Sequence, residues 1–467
     1  MKEIEIFLNC VNLFFLVYLL LYTTYLFLSV LVGAFELYKK QQRYMVRNQL
    51  KHEYYVPVSL LVPAYNEEVT IVDSINSLVQ LNYNLFEIII INDGSKDNTL
   101  NKLIEAFSFV EVKRPIHIAL KTAKLKAVYE TRINGVSVTL IDKENGGKGD
   151  SLNMGINASR FPYFICIDAD SMLQKDSLEK IVQPLMEDDR VVAVGGLIRV
   201  AQCVEMKDGE VTHYRMPINP ILGMQVVEYD RSFLASRILM DQFNGNLIIS
   251  GAFGLFKKDV VVACGGYDSH TLGEDMELVV RLHVFCRNNM IDYAIKYEPN
   301  AICWSQAPGS LKDLVKQRRR WHLGLFQSML KHYKIFCNFR FGLVSIISYM
   351  YYLLYELLSP VIEVLGITTI IISGCVGLLN PTFMIRFLLL YSLYGAILTI
   401  TAFFQRIYTQ NLRISLYDTI KAVIICILEN VFFRYVLSFI RVTSFIGYRK
   451  KKNVWGSIQR FDQKTFK

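Results

Sequence analysis

The sequence predicts an α/β domain, built on a mostly parallel β-sheet and flanked by transmembrane and interfacial α-helices. Apolar residues collect at the two ends of the 467-residue chain, while the middle alternates β-rich runs with amphipathic stretches. In addition, acidic residues close successive β-rich runs, which marks where a ligand would bind on such a sheet.

The hydrophobic share is 52%, with 29 Phe and 27 Tyr, and the mean hydropathy is +0.28. No residue from Ile6 to Phe35 is charged. As a helix this run extends roughly 45 Å, enough to cross a ~30 Å hydrocarbon core with tilt. A cleaved signal peptide fits poorly, because the run is too long, starts with Glu3 and Glu5, and lacks a small-residue cleavage site. Lys39, Lys40, Arg43, Arg47 and Lys51 follow, and basic flanks mark the cytoplasmic side. Attraction to anionic head groups accounts for part of the +9 net charge, so no nucleic acid is called for. The nine cysteines are scattered without a CxxC pair, which points to buried thiols rather than a disulfide framework or zinc site.

In the middle, strands are expected over Val58–Tyr65, Glu87–Asn92, Val136–Ile141, Tyr163–Ile167 and Val191–Val200. Helical patterns lie between them at Glu67–Gln80, Asn98–Phe107, Lys148–Ser159 and Asp176–Met186. Strands alternating with helices predict a sheet covered on both faces. Residues 202–245 show no clear period. An apolar run Leu247–Phe256 follows, then an expected helix from Asp275 to Arg287 and a basic amphipathic helix Leu311–Lys331. Beyond Phe341 the chain is apolar again. Phe341–Leu379, interrupted by Pro360 and carrying Glu356 and Glu363, reads as a kinked or partly interfacial element plus one span. Phe387–Phe404 and Ala422–Ile446 are further candidates. Glu429 and Arg434 in the last of these face either a polar cavity or a structural ion-pair partner. The expected organisation is an anchor at 1–40, a cytoplasmic α/β domain at 41–335 that ends in the basic interfacial helix, membrane and interfacial helices at 336–448, and a basic tail at 449–467. A cytoplasmic Arg449–Lys452 requires an even number of crossings after the α/β domain, whereas the simplest count gives three.

Four segments carry chemistry. Val62-Pro63-Ala64-Tyr65-Asn66-Glu67-Glu68 ends a strand and opens a helix with carboxylates at its positive end. Asn92-Asp93-Gly94-Ser95 closes the next strand with another acid. Asn145-Gly146-Gly147-Lys148-Gly149-Asp150 offers glycine amides and a mobile cation to an anion, without the spacing of a Walker A loop. The apolar Tyr163–Ile167 runs into Asp168-Ala169-Asp170, and residues two apart on an extended backbone point the same way. Two carboxylates projecting together call for a hard divalent ion, Mg2+ or Mn2+, that also grips phosphate oxygens.

Together these segments resemble the family 2 glycosyltransferases of the GT-A fold, specifically the processive membrane synthases. Ser250-Gly251-Ala252, Gly273-Glu274-Asp275, Gln317-Arg318-Arg319-Arg320-Trp321 and, by a short match, Trp455 add to the likeness. The length and the Ser-Gly-Ala-Phe-Gly and Glu-Asp-Met-Glu-Leu runs are similar to bacterial poly-β-1,6-N-acetylglucosamine synthases, and more distantly to hyaluronan and cellulose synthases.

The resemblance implies inverting transfer from a UDP-sugar, most simply UDP-N-acetylglucosamine, to a growing polysaccharide that is exported through the adjoining helices. Ala64, Tyr65, Glu67 and Asp93 would hold the uridine, with Asp93 accepting from the uracil imide. Lys148 and Asp168 would lie near the donor, and Asp170, with Asp168, would bind the metal. Asp275 would be the general base. Arg320 would steady the diphosphate, while Ser250, Gly251, Glu274, Gln317 and Trp321 would face the acceptor. Arg318 and Arg319 are expected to face lipid, and His283 and His322 to be structural. The implied partners are the UDP-sugar donor, the polysaccharide acceptor, the lipid bilayer of the plasma membrane and a small accessory membrane subunit. A hyaluronan-type or other exopolysaccharide synthase, or a non-processive transferase acting on a lipid acceptor, is the alternative.

Overall fold

The computed structural model describes residues 2–50, 56–207, 209–377, 381–409 and 412–446. Lys51, the Arg449–Lys452 tail and Trp455 lie outside these residues.

Twelve strands are described: β1 (Val58–Ala64), β2 (Phe86–Asn92), β3 (Val110–Glu111), β4 (Leu125–Ile133), β5 (Val136–Lys143), β6 (Tyr163–Ile167), β7 (Met172–Leu173), β8 (Val191–Val200), β9 (Val204–Lys207), β10 (Glu210–Tyr214), β11 (Phe253–Lys257) and β12 (Ala294–Ser305). β9 and β10 form a separate hairpin, and the other ten make one sheet in the order β3-β4-β5-β2-β1-β6-β11-β8-β12-β7.

The block β5-β2-β1-β6 is parallel, so the carboxyl ends of these strands share one edge. β8 and β12 also run parallel, but β11 lies antiparallel between β6 and β8. The sheet is therefore mixed rather than mostly parallel. β11 starts from the Ser250–Ala252 turn beside the strand tips and must leave that edge in the opposite sense. β4 is antiparallel to β5 because Asn134 and Gly135 form their turn with φ of 50° and 84°. That left-handed pair gives the tight hairpin favoured by Asn-Gly.

Alternation along the central strands feeds two cores. Leu60, Val62, Ile88 and Ile90 point into one, and Leu61, Ile89 and Ile91 into the other. Helices Ile71–Leu78, Thr99–Phe107, Lys148–Ala158 and Ser177–Glu187 follow strands in the expected order. The stretch without a clear period contains the β9–β10 hairpin and then the helix Pro220–Arg231. This continues through a π-helical turn, Ser232–Ser236, into Arg237–Asp241. Such a turn shifts the helical phase by one residue, which hides a 3.6-residue period.

The N-terminal helix spans Lys2–Leu50. At Gly33 an added Cβ would lie 2.4 Å from the Leu234 carbonyl oxygen, so the absence of a side chain lets the helix dock on the π-helical turn. Lys40, expected at lipid head groups, is drawn into the protein instead and donates to the Tyr297 carbonyl at 2.7 Å and to Glu298 at 3.4 Å.

Among the described residues three helices are long and apolar enough to cross a membrane: Cys10–Arg43, Met384–Ile407 and Leu416–Phe445. Val344–Leu357 and Ser359–Cys375 form a pair bent by 50°, either a broken span or a re-entrant element. Pro360 stands in the first turn of the second helix, where its missing N–H is tolerated. If the pair is re-entrant, two crossings follow the catalytic domain; if it is a broken span, three do.

Candidate active site

The parallel register sets Ala64 beside Asn92, and Asn92 beside Asp142. The Asp93 amide donates to the Ala64 carbonyl at 2.9 Å, fixing the two strand tips together. Glu67 is buried, and its own amide donates to Thr99 Oγ1 at 2.9 Å, while Tyr65 stands exposed on the rim.

Asp93 is buried and fully engaged. Its carboxylate accepts from the Gly146 amide at 2.9 Å, the Gly147 amide at 2.8 Å, Asn145 Nδ2 at 3.1 Å and Lys143 Nζ. A carboxylate has about four lone-pair sites, and all are used. As placed, Asp93 holds the Asn145–Gly147 loop in shape. To accept from a uracil imide, as expected from the resemblance, it would have to release one of these donors. Gly147 adopts φ 89° at the start of the Lys148–Ala158 helix, a conformation that favours glycine.

Lys143 was missed in the sequence. It is fully buried between Asp93 and Asp150, with Asp150 Oδ1 at 2.8 Å. A lysine ending an apolar strand just before Asn-Gly-Gly was the available signal.

Lys148 Nζ pairs with Asp168, and Glu274 Oε1 lies 3.9 Å away. Burial alone would lower the Lys148 pKa, but Asp168 and Glu274 outweigh it and raise it above the usual lysine value. Burial pushes the Glu274 carboxyl up to about 7, with Lys148 opposing and Asp275 adding to the shift. Glu274, expected among the acceptor contacts, thus lies near Lys148, the lysine expected at the donor. Asp170 is buried at the same strand end, and Asp168 is partly open. No cluster of three or more His, Cys, Asp or Glu side chains suited to a metal is present among the described residues. The two carboxylates nevertheless suit Mg2+ or Mn2+, hard ions commonly held by one or two carboxylates plus substrate phosphates.

Asp275 opens the helix Glu274–Asn288. Its Oδ2 accepts from the Gly251 amide at 3.2 Å, and its Oδ1 from the Met276 amide at 2.8 Å. Gly251 is hemmed in: an added Cβ would lie 3.0 Å from Lys148 Nζ and 3.6 Å from Asp275 Cβ. The Ser250–Ala252 turn, the lysine and the candidate base therefore meet at one point.

The helix Leu311–Lys331 closes the other side. Gly324 meets Gly273 backbone to backbone, since a Cβ on Gly324 would lie 2.8 Å from Gly273 Cα. Three residues on, Gln327 Oε1 accepts from the Leu272 amide at 2.8 Å and Thr271 Oγ1 at 3.1 Å, holding the turn before Asp275. Gln317 is buried and its Oε1 has no hydrogen-bond partner among the described residues. Arg320 lines the same cavity, and Trp321 is exposed to it.

Arg318 does not face lipid. It is buried and bidentate to Glu228, at 2.7 and 2.6 Å, with its guanidinium 4.6 Å from the Trp321 ring centre. Two parallel charge-assisted bonds and the aromatic face make burial tolerable. Arg319 is half-buried against Thr443, at 3.4 Å. His283 bridges Tyr293 at 2.7 Å and the Asn246 carbonyl at 2.9 Å, and His322 packs edge-on against Phe445.

A single cavity of about 1040 Å³ joins these parts, touching Ala64, Asp93, Lys148, Asp170, Asp275 and Trp321. It continues between the apolar helices to Tyr22, Tyr355, Glu363 and Arg434. Arg434 pairs with Glu363 at 2.8 Å, and Glu429 with Arg231 at 2.7 Å. These charges therefore line the cavity and are also ion-paired.

Residues 59–261 match Glycosyl transferase family 2, and residues 163–404 match Glycosyl transferase family group 2. The chain is 29% identical over 322 residues to the poly-beta-1,6-N-acetyl-D-glucosamine synthase of Staphylococcus aureus (strain COL), covering 68% of this chain and 66% of that protein. The protein of the same name from Staphylococcus epidermidis is 29% identical over 323 residues, with equal coverage. The match thus spans slightly under two thirds of these relatives' length. A mannosyltransferase from Pyrobaculum calidifontis, solved in complex with GDP-Man and Mn2+, aligns with a TM-score of 0.53 at 16% identity, covering 88% of this chain and 98% of that one. That likeness is one of fold.

Proposed function

The chain belongs to Glycosyl transferase family group 2, and on that premise we propose that it transfers N-acetylglucosamine from UDP-N-acetylglucosamine to a growing β-linked polysaccharide. The observation that carries the reading is the continuous cavity, which runs from the acidic strand tips past Asp275 and Trp321 to the membrane helices. The staphylococcal relatives support the choice of sugar.

Attack by an acceptor hydroxyl on the anomeric carbon requires a group to take its proton. Asp275 is fixed for this by the Gly251 and Met276 amides, at the wall between the donor-side lysine and the acceptor helix. A single displacement inverts the anomeric centre and needs no covalent nucleophile, so none of the cysteines has a catalytic part. Trp321, with Tyr229 6.3 Å away, offers an aromatic face to the acceptor sugar. Lys148 and Arg320 supply positive charge to the departing UDP. Mg2+ or Mn2+ held by Asp170 and Asp168 would neutralise the diphosphate when bound. Tyr65 on the rim and the Asn145–Gly147 loop would embrace the nucleoside and phosphates.

The basic residues after the first span support a catalytic domain on the cytoplasmic side of the plasma membrane, where nucleotide-sugars are made. Reading the bent pair as re-entrant gives the even number of later crossings that a cytoplasmic basic tail requires. The chain under synthesis would leave through the tyrosine-lined end of the cavity. Purified protein in nanodiscs, offered a panel of UDP-sugars, tests the proposal through the mass and linkage of the product. A β-linked N-acetylglucosamine polymer is expected. A single glycosylated lipid would instead support a non-processive transferase.

A further inference from the structure

We infer that Arg237 forms an acceptor subsite beyond Trp321, donating hydrogen bonds to oxygen atoms of the N-acetylated glycan; this rests on the transferase reading above. Arg237 lies in the helix Arg237–Asp241, is 9% exposed and lines the large cavity. Its guanidinium carbon sits 3.9 Å from the centre of the Phe233 ring.

No hydrogen bond or ion pair from this guanidinium is found among the described residues, and its Nη1 is buried without a partner. A guanidinium offers five donors and no acceptor, and leaving such groups unsatisfied away from water is costly. Three other arginines that line the cavity have carboxylate partners: Arg231 with Glu429, Arg318 with Glu228, and Arg434 with Glu363. Arg237 alone among these four has no carboxylate partner, and it lies against the Phe233 ring at the cavity wall.

Position indicates the occupant. Trp321 lies 6.3 Å from Tyr229, and Tyr229 lies 6.0 Å from Phe233, which carries Arg237 on its face. The series leads from the acceptor platform to a part of the cavity wall that shares its lining with Tyr352 and Tyr355 of the bent helix pair, where sugar units already added would pass. Those units present hydroxyls and acetamido carbonyls, all acceptors.

The test is binding of a β-1,6-linked N-acetylglucosamine pentasaccharide to full-length protein in nanodiscs, followed by tryptophan fluorescence, for wild type, Arg237→Met and Arg237→Lys. A lost charge-assisted bond predicts affinity about tenfold weaker in Arg237→Met. Arg237→Lys should recover part of the loss, and UDP affinity should be unchanged in both. Equal pentasaccharide affinity in wild type and Arg237→Met, or loss of UDP binding together with it, would overturn the assignment. Should Arg237→Met fail to fold, Arg237→Lys with wild-type UDP affinity and undiminished pentasaccharide affinity would overturn it equally. UDP release by wild type is measured separately. Its absence would remove the donor reading, while the pentasaccharide comparison still decides Arg237.

Discussion

Replacing Gly324 with alanine sets two effects of opposite sign against each other. Gly324 is inside the helix Leu311–Lys331, where alanine is intrinsically favoured over glycine by ~1 kcal/mol. The added methyl, however, would lie 2.8 Å from Gly273 N and Cα and 3.1 Å from the Leu272 carbonyl carbon. These are backbone atoms, so no side chain can swing away. Carbon atoms attract at ~3.5 Å and beyond, so the two helices must separate by about 0.7 Å. Overpacking of this kind costs ~1–3 kcal/mol, which outweighs the propensity gain. The segment displaced carries Asp275, and a ~1 Å misplacement of a reacting group can cost about a hundredfold in rate. We therefore predict a fall in kcat of about ten- to a hundredfold. UDP affinity should be retained, because Ala64, Asp93 and Asp170 lie on strand tips away from this contact. UDP release would be followed with a coupled assay in nanodiscs, and UDP binding by calorimetry. A variant with wild-type kcat and a raised melting temperature would refute the claim that the acceptor helix sets the position of the base.

Three further outcomes follow from the same geometry. Asp275→Asn should abolish turnover while leaving UDP binding largely intact by calorimetry; loss of nucleotide binding would remove Asp275 from the role of base. Lys143→Met should lower stability by about 3–5 kcal/mol, because it strands two carboxylates beside a side chain that is 0% exposed. Thermal unfolding in detergent would measure this, and a change within the noise of wild type would contradict it. Burial alone would raise the Glu277 carboxyl, but His332, Arg281 and Lys331 hold it down to about 2. A depressed carboxylate stabilises the fold above its ordinary value and loses that contribution as pH falls through the folded one. Between about pH 4.5 and 2, then, wild type should lose stability more steeply than Glu277→Gln, and parallel pH profiles of the unfolding midpoint would argue against it.

Period and punctuation made the central strands and their helices legible in the sequence, because β1, β2, β5 and β6 bury most of their side chains and the last three are followed directly by an acid. β11 was harder to place. Its direction depends on where the Ser250–Ala252 turn sits in space, which no local pattern encodes. The Asn134-Gly135 turn did carry a local signal for β4, and it was overlooked because β4 itself is half-exposed and weakly apolar. The strand-tip acids could be grouped as candidates from the sequence because such a fold brings strand ends together. Lys143 and Gln327 were not singled out, since each acts through a partner distant in sequence, Asp93 and Leu272. Arg318 was misread for the same reason, its partner Glu228 lying 90 positions away. In the membrane segments the sequence showed that charges were present and left their partners open. Glu429 pairs with Arg231 of the catalytic domain, a contact between elements separated by 198 residues.

The central claim is that clustered carboxylates at adjoining strand tips place a nucleotide-sugar beside Asp275 and the acceptor helix. UDP released from UDP-N-acetylglucosamine by the purified chain, with Mn2+ or Mg2+ and then with excess EDTA, tests it most directly. Release is expected with the metal, abolished by EDTA and absent in Asp170→Ala. Undiminished release in full chelator, or no release from any UDP-sugar by folded wild-type protein, would contradict it.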